Sequence, residues 1–110
     1  MTQSEERKKK IDAKRPQVKK HLRFDYAKES GDEHAGGKGD AKYIDRQDKS
    51  EVTYAIASFI VDFSIKLTKG NVEKLEDEVH SVVHQDSNGK TIRENVKKEV
   101  ELCSAFYYET

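Results

Sequence analysis

The stretch from Glu51 to Lys69 constrains the fold of this chain more than any other, because it is the longest apolar run in the sequence. On a helical wheel at about 100° per residue, Val52, Ile56, Phe59, Ile60, Phe63 and Leu67 share one arc. Tyr54, Val61 and Ile65 fall on the opposite side, so a helix here is apolar twice over. Read with period two, Val61, Phe63, Ile65 and Leu67 alternate with Asp62, Ser64, Lys66 and Thr68. Val52, Tyr54 and Ile56 alternate with Thr53 and Ala55 in the same way. β-branched and aromatic residues dominate the run, as they do in strands. The sequence therefore predicts strand over 51–69, with a bulge near Ser58-Phe59-Ile60 and a helix as the alternative.

Apolar residues are sparse before Ser50 and frequent from Val52 to Tyr108, which centres the expected compact body on the second half. Gly70 is read as ending the strand and Asn71 as capping a helix over about 72–86. Val72, Leu75, Val79 and Val82 recur along it at spacings of three and four. Asp86-Ser87-Asn88-Gly89 reads as a turn, and Thr91 with Glu94 as the capping box of a last helix. Ile92, Val96, Val100, Cys103 and Tyr107 share a face there, with Leu102 and Phe106 beside it. Leu22, Phe24 and Tyr26 alternate with Arg23 and Asp25, a further strand signal that competes with a helix through Val18, Leu22 and Tyr26. Tyr43 and Ile44 can seed another short strand. Strands followed by helices define an α+β domain, a small antiparallel sheet with two C-terminal helices. An all-α bundle is the alternative. Open sheet edges would favour a homo-oligomer.

The formal net charge of zero conceals an asymmetry. Residues 1–23 carry nine basic side chains, Arg7, Lys8, Lys9, Lys10, Lys14, Arg15, Lys19, Lys20 and Arg23, against three acidic ones. A +6 segment thus precedes a −6 remainder. Residues 1–15 have little apolar surface and read as a flexible basic arm. Pro16, the only proline, separates it from a domain over 16–110. Basic side chains on an arm neutralise nucleic-acid phosphates, or dock on an acidic protein surface. The nine are therefore the candidate nucleic-acid-binding residues. The absence of an aromatic before Phe24 leaves little for base stacking.

Other constellations carry less. The loop at 31–41 holds four of the six glycines. Gly31 and Gly36 have phosphate-loop separation, but Lys38 comes one place late and the hydroxyl is missing, so a plain loop is expected. His80 and His84 lie four apart on the predicted helix, with Asp77 as a third ligand within reach. Ser81 stands where the metalloprotease form needs Glu, so neither metal nor cofactor is expected. Cys103 is a core residue with acidic neighbours, and no disulfide partner exists. Glu76, Asp77 and Glu78 read as a solvated face. No apolar segment is long enough to span a membrane, and a cytoplasmic location follows by default.

Strands followed by two helices, with Ile92-Arg93-Glu94 opening the last one, resemble the layout of SecB-type export chaperones. The resemblance covers the second half. It implies a tetrameric holdase that binds unfolded chains on apolar grooves. Together these readings describe a small non-enzymatic regulatory or adaptor protein contacting nucleic acid or another anionic partner. The alternative is a protein-binding factor, an inhibitor or holdase.

Overall fold

The computed structural model describes residues 3–27, 29, 47–81, 92–102, 106 and 108. Four helices run through them: α1 Gln3–His21, α2 Lys49–Asp62, α3 Lys69–Ser81 and α4 Ile92–Leu102. No strand occurs among the described residues. The nearest thing to one is an isolated antiparallel bridge between Ile65 and Tyr108. The α+β expectation is therefore corrected to its alternative, an all-helical bundle. The sheet edges that suggested an oligomer disappear with it. The glycine loop at 31–41, Tyr43, Ile44, His84 and Cys103 lie outside the described residues.

The physical reason for the misread strand is the position of α2. Every residue from Val52 to Ile60 is buried. A helix apolar on both sides belongs at the centre of a bundle, where neighbours cover it all round. Alternation over a few residues is then a by-product of near-complete burial. Small polar residues are tolerated inside it because their hydroxyls bond to the helix itself. Thr53 Oγ1 donates to the Lys49 carbonyl at 2.7 Å, and Ser58 Oγ to the Ala55 carbonyl at 2.7 Å.

Both ends of α2 are locally encoded. Asp48 is its N-cap, extended at φ −99° and ψ 110°, and accepts from the Ser50 N–H at 2.9 Å. At the other end Ser64 takes φ 56°. The Ile65 N–H reaches back to the Ile60 carbonyl at 3.0 Å, and both side chains are buried. This six-to-one bond with a left-handed residue before it is a Schellman motif, in which glycine is the usual occupant. Ser64 is exposed, so removing its side chain forfeits no packing. Ser64→Gly is expected to raise stability by about 0.5–1 kcal/mol in urea denaturation, because only the left-handed strain is removed.

The flexible arm of the sequence reading is also corrected. Residues 3–21 are helix and run antiparallel to α2, as two contacts show. Arg7 Nε and Nη2 each donate at 2.8 Å to the Asp62 carboxylate at the end of α2. The Arg15 guanidinium lies 5.6 Å from the Tyr54 ring centroid, two turns further back along α2. Ile11 and Val18, seven residues apart on one stripe, are fully buried. Two apolar side chains suffice because the arginine stems on either side cover the remaining edge. Pro16 sits inside the helix on its exposed side, where it removes one backbone hydrogen bond without ending the element.

α3 starts earlier than Asn71. Thr68 is its cap: its carbonyl accepts from Val72 N–H at 3.0 Å and its Oγ1 from Asn71 N–H at 3.1 Å. Asn71 is buried in the first turn and donates from Nδ2 to the Lys66 carbonyl at 2.8 Å. Val72, Leu75 and Val79 are fully buried, as their spacing predicts, and so are Val96 and Val100 on α4.

Candidate functional site

Acidic partners of this chain hold Arg7, Arg15, Lys19 and Arg23. Arg7 is paired with Asp62, Arg15 with Asp12 at 3.0 Å, and Lys19 with Glu29. Arg23 donates to Asp77 Oδ1 at 2.7 Å and to the Glu73 carbonyl at 2.8 Å. Lys14 is half-buried, while Lys8, Lys9, Lys10 and Lys20 are exposed on α1. At about 100° per residue, Lys9 and Lys20 point directly away from Val18, while Lys8 and Lys10 lie about 80° to either side of it. A docked helix has thus replaced the arm, and its outward face carries the lysines.

The chain after α1 crosses α3, and what fastens it there is Glu76. Its side chain is fully buried. It accepts from the Arg23 N–H at 2.9 Å, the Phe24 N–H at 3.2 Å and the Tyr26 hydroxyl at 2.6 Å. The Arg23 Nε lies 3.5 Å away. Burying a carboxylate is costly unless donors surround it, and here two main-chain amides, a phenol and a guanidinium do so. Tyr26 Oη is also 3.1 Å from His80 Nε2, and His80 stacks on Phe24 with centroids 4.1 Å apart and planes 11° from parallel. Burial, then the hydrogen bond to Glu76 and its charge, raise the Tyr26 phenol well above its ordinary value, and Arg23 opposes this only in part. Tyr26 therefore stays protonated and donates to Glu76.

Sequence reasoning placed Glu76 on a solvated face, yet a signal was present. On the wheel Glu76 falls only about 40° from Val72, on the apolar side of α3. His80, which the sequence pairs with His84 four residues on, is half-buried against Phe24 and Tyr26, and no group of three metal-ligating side chains forms among the described residues. Glu78 is different again. Burial, with the like charges of Glu99 and Asp77, pushes its carboxyl above the usual range. This leaves an acidic face between α3 and α4.

No protein-family model, curated protein or solved structure matches this chain. No helix among the described residues is long and apolar enough to cross a membrane.

Proposed function

We propose that this is a small non-enzymatic regulatory or adaptor protein that contacts nucleic acid through the outward face of α1. One observation carries the reading. α1 is docked by Ile11, Val18 and the Arg7–Asp62 pair while Lys8, Lys9, Lys10 and Lys20 remain exposed on it. From Lys8 to Lys20 the helix rises about 18 Å, so the cations at its two ends reach phosphates about that far apart. Cations carried on a docked helix bind phosphate with less ordering cost than cations on a loose arm.

Because Ile11 belongs to the core, the test keeps α1 whole and changes Lys8, Lys9, Lys10 and Lys20 together to Gln. Wild-type protein is expected to bind random-sequence DNA and RNA at low salt, with affinity falling steeply as salt rises. The variant is expected to lose most of this salt dependence, roughly one unit of log–log slope per phosphate contact removed. Unchanged binding, or none by the wild type at low salt, overturns the proposal.

The crowded acidic face around Glu78 favours a second reading, a protein-binding factor that takes a basic partner there. Its binding survives the lysine substitutions and is weakened by Glu78→Gln with Glu99→Gln. A holdase of the chaperone type would in addition suppress aggregation of an unfolded client.

A further inference from the structure

We propose that Phe24 and the hollow beside it form a nucleobase site, which makes single-stranded nucleic acid the preferred ligand of the basic helix. The inference rests on the reading of α1 as a phosphate-binding face. Phe24 lies three residues past the end of α1, directly beyond Lys19 and Lys20. It is one of few large apolar side chains left exposed among the described residues, at 38 %. Its exposure is not looseness. The ring is stacked on His80, its backbone N–H is fixed to the buried Glu76, and the Arg23 guanidinium carbon lies 5.8 Å from its centroid. Imidazole, phenyl and guanidinium are the planar groups on which unpaired bases stack.

The hollow has a volume of about 380 Å³ and is lined by Phe24, Asp25, Tyr26, Glu29 and Lys49. That is the lower range of small-ligand sites and ample for one base. Its carboxylates, with Lys49 beside them, supply acceptors suited to the edge of a base. The exposed Asp25 carboxylate, next to the ring, accepts from exocyclic amino groups. Cytosine and adenine offer such a donor and thymine does not. The division of labour is then complete: lysines of α1 hold the backbone, Phe24 stacks one base, and Asp25 selects bases that carry an amino group. A duplex, whose bases are stacked and paired, gains only the first.

The chain contains no tryptophan, so Phe24→Trp introduces a single reporter. Titration of this variant with a short oligodeoxycytidine at low salt is expected to quench its emission, and a random-sequence duplex to leave it unquenched. Phe24→Ala is expected to weaken oligodeoxycytidine binding about ten- to hundredfold while duplex binding is unchanged. Phe24→Leu, which keeps an apolar side chain on His80, is expected to do the same with an unshifted thermal midpoint. Asp25→Ala is expected to abolish the preference for oligodeoxycytidine over oligothymidine. Salt-sensitive binding that persists without quenching overturns the base site and leaves the α1 reading standing. Absence of salt-sensitive binding to either probe overturns both.

Discussion

Ile11→Ala is expected to cost about 2–4 kcal/mol of stability in urea denaturation, in the range of buried isoleucine truncations. The residue lies in a segment where thirteen of the first twenty-three positions are charged or histidine, and nothing nearby announces a core residue. Yet its side chain is fully buried in the cluster that contains Val52, Ile56 and Phe59. α1 has little intrinsic reason to be helical. It carries an internal proline worth about 3 kcal/mol against the helix, and isolated helices of this length are marginal in water. Its helicity therefore depends on docking, and docking depends on Ile11, Val18 and the arginines. The substitution should consequently lower far-ultraviolet helicity as well as the denaturation midpoint. Gln17→Ala, exposed on the same helix, is expected to change stability by less than about 0.5 kcal/mol. Equal effects at the two positions would mean that α1 is not docked.

The same helix shows why part of the fold was legible in the sequence and part was not. α3 and α4 lie at the edge of the bundle, buried on one face, so Val72, Leu75 and Val79, and Val96 with Val100, repeat at helical spacing. α2 lies at the centre and has no solvent face to supply a contrast. Once nearly every position is apolar, local alternation carries no information about period. α1 fails in the opposite way, since its buried stripe contains only Ile11 and Val18 amid lysine and arginine. Both errors arise because periodicity measures one-sided burial, and these helices are buried too completely or too thinly. The ends were legible only in part. Thr68 caps α3 three residues before Asn71, a shift within the reach of local capping competition. Ser64 occupies a left-handed position that sequence rules reserve for glycine.

The candidate site was legible as charge and illegible as geometry. Nine basic residues marked the N-terminal segment, but the pairing of Arg7 and Arg23 depends on acids more than fifty residues away, and the side each lysine presents depends on how α1 docks. Phe24 and Tyr26 alternated convincingly enough to suggest a strand. What holds that segment on α3 is Glu76, with Asp77 and the Glu73 carbonyl, rather than a neighbouring strand, and no local pattern encodes partners at that distance.

Glu76→Ala is expected to be among the most damaging single changes on α3, at about 2–4 kcal/mol from the two amides that lose their acceptor. On a solvated helix face the same change would be neutral or slightly stabilising, since alanine is the better helix former. Here it leaves the Arg23 and Phe24 amides without their acceptor and the Tyr26 hydroxyl with His80 Nε2 alone, and removes the charge that Arg23 Nε faces at 3.5 Å. An amide left without an acceptor where water does not replace it costs about 1–3 kcal/mol, while the exposed Arg23 guanidinium keeps Asp77 and adds little. Glu76→Gln retains an acceptor oxygen and shape but brings two donors into a site already full of them. Its cost is expected to fall between wild type and alanine. Native-state amide exchange at residues 23 and 24 separates the consequences. If Glu76 fastens the segment, protection there falls in both variants, and in the glutamine form it falls further than protection of α2, because the crossing segment opens before the core does. The same release frees Phe24 from its fixed stack on His80. Base quenching in a Phe24→Trp background should therefore weaken when Glu76→Gln is added, although residue 76 is fully buried and cannot touch the ligand. Such coupling would trace the exposed aromatic surface back to one buried carboxylate.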